Sequence, residues 1–354
     1  MKSTILRLCM LLLLTVSVQA QPLAFKPTTT VGGYGELHYN ANLSSETHTL
    51  DFHRFVLFFN HSWNAHWSFH SEVELEHNFV SDGEGELELE QAYVDFHPHE
   101  NWGLRAGVVL PSAGLINERH EPPTFLSVER PDYNKNIIPT TWFGNGAAIY
   151  YVNDKIDAKL TVMEGLNGDG FSLKSGIRGG RQKGYKSDVS KPLFNGRIDV
   201  IAIPGLRMGG SFSFTDAVYA SAAHNRITLI ELHGRLVKNH WHVTAEYGRI
   251  GFERGAAAAA QGFYADLGYD IGRFLFREGQ TQVIPWVRYS VVNPVSKARE
   301  NVTLTSQYQS TKWLAGVAVK PIDQVILKAE YGQQTIALNN VKTTLFNMGV
   351  GYWF

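Results

Sequence analysis

The charged residues best placed to act on a solute lie in, and just before, the stretch 110–143. For about thirty residues the alternation of apolar and polar side chains seen elsewhere stops, and five prolines exclude a central strand or an uninterrupted helix. Ile116 and Trp142 give the stretch apolar residues to pack, and long ordered loops are usually functional. Charges confined in a narrow aqueous space select the ions that pass. The candidates for such a constriction are Arg105, Glu118, Arg119, His120, Glu121 and Arg130.

These charges also have a purely structural interpretation. A loop folded into the mouth of a barrel must be held there, and salt bridges to the wall would do so. Some of the candidate residues would then serve as ties and others would face the solute. The sequence leaves both interpretations open.

Residue spacing elsewhere gives little support for catalysis or metal binding. His66 and His70 lie four residues apart on one strand face, so strand rise separates them by roughly 13 Å, too far for one metal ion. Glu72 is nearer to His70, but a pair is not a site. The zinc helix, the nucleophile elbow and the phosphate loop have no counterpart in the sequence. We therefore predict no catalytic residue, metal site or cofactor, although a dyad assembled from distant loops stays open.

The first twenty residues have the pattern of an export signal. Lys2 and Arg7 precede an apolar run, and Val18-Gln19-Ala20 provides a small-residue cleavage site. Cleavage would remove Cys9, the only cysteine, and leave residues 21–354 with 30 basic and 33 acidic residues, a formal charge of −3. An exported chain without cysteine suits the bacterial envelope, and its acidic balance argues against nucleic acid as a partner.

The mature sequence consists of short segments with strict period two. In the clearest of them, Trp67, Phe69 and Val73 share one face, while Glu72 and Glu74 share the other. A later segment needs a β-bulge near Gln91 to keep its parity. The alanine run Ala256–Ala260 is interpreted as loop. About sixteen such strands are joined by connections that alternate between short and long.

This pattern predicts an all-β fold, a closed antiparallel transmembrane β-barrel of about 16 strands forming a single domain over residues 21–354. Both termini then lie at the periplasmic end. The stretch 110–143 becomes an inward-folded loop after the fifth strand, and the glycine-rich stretch 167–191 becomes a long outer loop. A barrel this wide is expected to hold water.

The polar face of the strands would then line a pore. The alternative is that these residues only solvate the wall and pair with one another. The pore-lining candidates are Arg54, Glu72, Glu74, Arg197, Arg207, Arg235, Glu246 and Arg288.

Three segments carry a family resemblance: the opening GGYGELHYN (32–40), the strand ELEQAYVDF (88–96) and the run GLRAGVVLPSAGLINERHEPPTF (103–125). In the last strand, apolar or aromatic residues occupy every second position up to Phe354, which resembles the terminal assembly signal of bacterial outer-membrane proteins. The whole mature chain resembles a bacterial porin, most like the phosphate-selective porin O and P type.

The resemblance implies passive diffusion of small hydrophilic solutes or ions, possibly anions such as phosphate, through the outer membrane of a Gram-negative bacterium. It also implies a constriction by the loop after the fifth strand, a homotrimer in outer-membrane lipid, and recognition of the last strand by the barrel-assembly machinery. Because the lumen candidates mix arginines with carboxylates, strict phosphate selectivity is not predicted. The alternatives are an outer-membrane barrel enzyme of lipase or protease type and a non-conducting adhesin or structural barrel.

Overall fold

Sixteen antiparallel strands form one closed sheet in the computed structural model. The first strand pairs with the last, for example through Leu37 and Val350, so the described sheet has no free edge. The structure describes residues 25–81, 84–276, 280–299, 308–338 and 340–354. The predicted export signal, residues 1–20, lies outside the described residues.

The strands and helices have the following bounds. The first eight strands are β1 (Thr28–Asn42), β2 (Thr47–Ser62), β3 (Trp67–Glu76), β4 (Leu87–His99), β5 (Trp102–Val109), β6 (Gly144–Val152), β7 (Ile156–Met163) and β8 (Leu193–Val200). The other eight are β9 (Leu206–Val218), β10 (His224–Lys238), β11 (Trp241–Phe252), β12 (Ala257–Tyr269), β13 (Gln282–Ala298), β14 (Ser310–Ile322), β15 (Val325–Ile336) and β16 (Val341–Trp353). The helices are α1 (Tyr133–Asn136), α2 (Gly272–Leu275) and the 3-10 turns Pro122–Thr124, Gly168–Gly170 and Arg178–Gly180. Among the described residues, no helix has both the length and the apolar character needed to cross a membrane.

Period two in the sequence becomes an inside and an outside in the barrel. On β3, Glu72 and Glu74 are buried in the interior, while Trp67 and Val73 are exposed on the exterior. The same alternation exposes a band of large apolar residues, Leu160 among them, on the outer surface. An apolar exterior over a polar interior is the arrangement that a lipid bilayer requires of a barrel.

The bulge predicted near Gln91 is confirmed. Gln91 pairs with Glu72 but Leu89 pairs with Val73, so Glu90 is the extra residue between them. A β-bulge redirects a side chain, and Glu90 is buried in the barrel interior.

Connections alternate in length around the barrel, as predicted. At one end they are short, such as residues 153–155, except for 270–281, which contains α2. At the other end lie the two longest, 110–143 and 164–192. The interpretation of Ala256–Ala260 as loop is wrong for four of its five residues, since Ala257–Ala260 begin β12 and pair with β11 and β13.

The stretch 110–143, hereafter the constriction loop, lies inside the barrel. Its Tyr133 and Ile137 are fully buried against the inward-facing Leu229 and Ile250 of the wall. The expectation of a lumen filled mainly by water is therefore wrong along this wall. Apolar side chains occupy inward positions where the loop docks, because the loop needs an apolar surface to pack on.

Candidate pore constriction

Polar ties hold the constriction loop to strands on every side of the lumen. At one edge, Glu129 accepts from His38 of β1 at 2.9 Å. At another, Lys159 of β7 donates to Glu118 at 2.9 Å. On β14 and β15, Lys312 donates to Asp132 at 2.8 Å, and Glu330 accepts from the Val128 backbone N–H at 2.8 Å. Three further ties join a wall side chain to the loop backbone: Arg235 donates to Thr124 O, Glu246 accepts from Leu115 N–H, and Lys328 donates to Ser127 O. The loop therefore crosses the lumen.

Glycines in the wall let the loop approach closely. A Cβ atom added to Gly248 would lie 2.5 Å from the Tyr133 hydroxyl, and one added to Gly262 would lie 2.7 Å from Ile137 Cγ1. Both glycines face inward on neighbouring strands, β11 and β12. Any larger residue there would push the loop away from the wall.

The loop divides the solvent-accessible interior into two sides. A cavity of about 550 Å³ lies at the end with the long connections, and we call it the outer cavity. Two hollows of about 270 and 250 Å³ lie at the end with the short turns; they share Arg119 and Arg235, and we call them the inner cavities. In the described part of the chain, the outer cavity shares no lining residue with either inner one.

The outer cavity is nearly balanced in charge. Among the described residues, eight carboxylates, seven arginines and lysines, and three histidines line it. Arg54 pairs with Glu36 at 2.7 Å and with Glu74 at 3.1 Å, and Lys183 contacts Glu86 and Glu88. Four further cations have no carboxylate at ion-pair distance among the described residues: Arg130, Lys135, Arg178 and Arg181. The eight carboxylates nevertheless offset the positive charge of this side as a whole.

The inner cavities have an excess of positive charge. Seven basic and four acidic side chains of the described chain line them. Most of the cations are paired: Arg288 with Asp266, and Arg197 with Asp199. The described residues place no carboxylate within ion-pair distance of three others, Arg119, Arg235 and Lys320. Within the described chain, Arg235 donates to the backbone carbonyl of Thr124 and Lys320 to that of Pro123.

The predicted constriction residues do not form one ring. Arg119 lies on the inner side and Arg130 on the outer side of the loop. Arg105 bonds Asp95 at 2.8 Å and borders a narrow hollow of about 20 Å³ beside Glu118 and Lys159. This hollow is smaller than the outer cavity and than either inner cavity.

Several predicted residues act as ties and do not border the described cavities. His120 is buried between Glu72 and Glu90. Glu246 accepts from the Leu115 backbone N–H. Glu121 lines none of the cavities described above and is half-buried. Placing His120, Glu72 and Glu246 at the solute surface is therefore wrong, because the loop covers them.

The remaining predicted lining residues do reach a cavity. Arg54 and Glu74 border the outer cavity. Arg197, Arg207, Arg235 and Arg288 border the inner ones.

Contacts with the wall shift the acidity of the loop carboxyls. Burial alone would raise the pKa of Glu118, but Lys159 and Arg197 offset it and lower that pKa to about 2. Burial also opposes ionisation of Glu129, yet the hydrogen bond from His38 lowers its pKa to about 2. Both carboxylates stay charged at neutral pH and hold the loop by charge-assisted bonds.

Sequence reasoning missed Lys320, Lys312 and the apolar residues under the loop. Lys312 and Lys320 share the inward parity of β14 with the buried Leu314 and Ala318. The alternation that places both lysines on the inward face is therefore present in the sequence. It is hard to recognise because that face also carries apolar residues.

A closed barrel with an apolar exterior, a charged interior and a loop folded across the lumen defines the class of outer-membrane porins. Sequence comparison narrows the class. The family described as "Phosphate-selective porin O and P" has a sequence model that matches residues 31–318, and the chain belongs to this family. It is an outer-membrane porin of bacteria.

The chain is also similar to one protein by sequence and to solved structures by fold. A protein of Aquifex aeolicus (strain VF5), described as uncharacterized, is 32% identical over 333 residues, which cover 86% of this chain and 76% of the relative. The anion-selective porin from Comamonas acidovorans has a similar structure, with a TM-score of 0.61 and 10% identity over 93% of this chain and all of that one. OmpT of Vibrio cholerae, an outer membrane protein in its trimer form, is similar with a TM-score of 0.62. The two sequences are 11% identical, and the match covers 93% of this chain and all of that one. At such identities the structures show the shared fold alone.

Proposed function

We propose that this porin lets small hydrophilic solutes diffuse passively across the outer membrane and favours anions. The observation that carries the proposal is the positive excess at the inner cavities, where seven arginines and lysines of the described chain face four carboxylates. An excess of one charge in a confined space with low-dielectric walls focuses the field on passing ions. The family, named for phosphate selectivity, supports the same preference.

The passage runs along the edge of the constriction loop that faces β4–β7. The hollow of about 20 Å³ there is bordered by Arg105, Glu118 and Lys159, and the last two also border an inner cavity. A solute that leaves the outer cavity would meet the cations of the inner side only after this narrow step. The outer cavity admits solutes of either charge, and the inner cavities favour anions over cations.

A planar-bilayer recording of the purified protein tests the proposal. Stepwise conductance under a salt gradient, with a reversal potential on the anion side, supports it. Stepwise conductance with cation preference would contradict the role of the inner cations. Absence of conductance in several salts would favour the barrel enzyme or the adhesin.

We further propose that residues 21–354 form one barrel domain after removal of 1–20, and that the barrel inserts as a homotrimer in Gram-negative outer-membrane lipid. The Vibrio cholerae protein, named in its trimer form, supports the assembly state. Recognition of β16 by the barrel-assembly machinery would precede insertion. Native mass measurement of detergent-extracted protein tests the trimer, and a monomeric mass would contradict it.

The aromatic end of the barrel gives a prediction about assembly. Phe354 is exposed on the exterior, and its backbone N–H and carbonyl both bond Gly33, next to the β1–β16 seam. Phe354→Ala should lower the yield of folded barrel in outer membranes several-fold, measured as heat-modifiable protein on gels. A yield equal to that of the parent would show that the terminal aromatic is dispensable.

A further inference from the structure

Three potential metal ligands meet where the constriction loop contacts β3 and β4. The imidazole Nε2 of His120 lies 3.2 Å from Glu72 Oε1 and 3.2 Å from Glu90 Oε2. All three residues are at most 2% exposed. Ligand atoms about 3.4 Å apart are what a tetrahedral ion with bonds of about 2.0–2.1 Å requires.

Neighbouring groups orient these ligands as they do around protein-bound metals. His120 Nδ1 donates to the Asn117 carbonyl at 3.0 Å, which leaves the lone pair on Nε2 when the ring is neutral. Asn117 is itself fixed by bonds to Pro111 and Trp142. Gln91 donates to Glu72 Oε2, so that the other oxygen, Oε1, faces His120.

One ligand atom has a single polar contact. Glu90 Oε2 is buried, and His120 Nε2 at 3.2 Å is the one ion-pair partner that the described residues give it. The buried hydroxyl of Tyr34 has no hydrogen-bond partner among the described residues. The Tyr34 ring lies 6.0 Å from that of His120. Two buried carboxylates therefore face one imidazole, and burying that negative charge is costly unless a cation offsets it.

We propose that Glu72, Glu90 and His120 bind a divalent transition-metal ion that accepts both nitrogen and oxygen ligands, such as Zn²⁺. The bulge in β4 directs Glu90 toward β3, and the loop brings His120 to both carboxylates. Glu90 also borders the outer cavity, which gives the ion a path from the external side. The bound ion fastens the constriction loop to the wall. This site is distinct from the pairing of His66 with His70 that the sequence analysis rejected.

Two other groups of potential ligands share His53: one with Asp51 and His77, the other with His38 and Glu129. They are more exposed than the buried group. Both groups must be mutated before zinc is measured, because accessible histidines on many proteins bind Zn²⁺ weakly and would add to the count. The double variant H53Q/H77Q alters both groups and leaves the buried one intact.

The test is the zinc content of the folded full-length barrel after chelation and dialysis against Zn²⁺. A single ion per chain in H53Q/H77Q, lost when Glu90→Gln is added, supports the site. Glu330→Gln is the matched control, since Glu330 is a buried lumen carboxylate that holds the same loop from the opposite wall. Zinc content should stay unchanged in that variant. Loss of the ion in H53Q/H77Q alone, or its retention in both Glu90→Gln and Glu72→Gln, overturns the proposal.

A second readout covers the case in which a variant fails to fold. In the folded H53Q/H77Q protein, Co²⁺ should give the intense visible absorption of a tetrahedral site. Zn²⁺ should raise the temperature of heat modification, because it binds the folded state alone. A cobalt spectrum equal to that of the free aqueous ion, with no shift in that temperature, would contradict the proposal without any change to its ligands.

Discussion

The two sides of the constriction loop contain equal numbers of arginines and lysines and differ in their acids. Seven arginines and lysines line the outer cavity with eight acids, and seven line the inner cavities with four, counted over the described residues. Arg119 and Arg130 are eleven residues apart in one loop, yet they serve opposite sides. The number of arginines in a lumen therefore says little about selectivity; the balance of carboxylates against arginines and lysines on each side says more.

The same comparison explains why the loop is held so firmly. Its charged ties reach strands around the whole barrel, including β1, β7, β10, β11 and β14, and its apolar residues pack against β10–β12. A buried ion pair contributes little net stability but fixes position, whereas apolar burial provides the stabilising free energy. The loop uses apolar contacts for stability and polar ties for alignment.

The largest expected difference between the two sides is their access from outside the cell. An epitope inserted after Tyr185, which is 78% exposed in the long connection 164–192, should be labelled on intact cells. One beside Asn153, in a short turn, should be labelled only after the membrane is permeabilised. Gly179 is a poorer insertion site because it packs against Gly170. The reverse labelling pattern would show that the barrel has the opposite orientation, with the inner cavities facing the outside of the cell.

Removing the loop should abolish the distinction between the sides. Deletion of Asn117–Asn136 removes Arg119, Arg130 and the part of the constriction loop that separates the outer cavity from the inner cavities. Single-channel conductance should therefore rise several-fold, and the preference for anions should fall. Heat modification confirms that the barrel still forms. Unchanged conductance in a folded deletion variant would show that the loop does not limit the passage.

Cutting one tie should have a smaller effect. Lys159→Met removes the bond to Glu118 beside the narrow hollow, so conductance should rise by less than in the deletion. Lys312→Met is the matched control, because it cuts the tie to Asp132 at the outer side, away from that hollow. If both variants raise conductance equally, the passage does not follow the β4–β7 edge.

Much of the fold follows from period two in the sequence. Trp67–Leu75 alternates so strictly that its two faces must meet unlike environments, and the parity change in β4 predicted the bulge that the structure contains. The alanine run was missed because alanine has little preference for either face, and only pairing with β11 and β13 makes it a strand.

The candidate site was harder to predict, because the side of the loop on which a residue lies depends on the tertiary structure. Prolines and loss of alternation located the loop, but no local pattern tells which way Arg119 and Arg130 point. The sequence predicts His120 at the solute surface because it is a polar side chain in the loop. It is instead buried between Glu72 and Glu90, and Glu90 is the extra residue of the bulge in β4.

Matched removal of charge from each side tests the central claim most directly. R119Q/R235Q removes one exposed cation and one that bonds a loop carbonyl on the inner side; R130Q/K135Q does the same on the outer side. Under a tenfold salt gradient a perfectly selective pore gives about 59 mV. The inner pair should move the reversal potential well toward zero, while the outer pair should leave it close to the parent value. A larger shift in R130Q/K135Q than in R119Q/R235Q would contradict the account and place selectivity on the outer side.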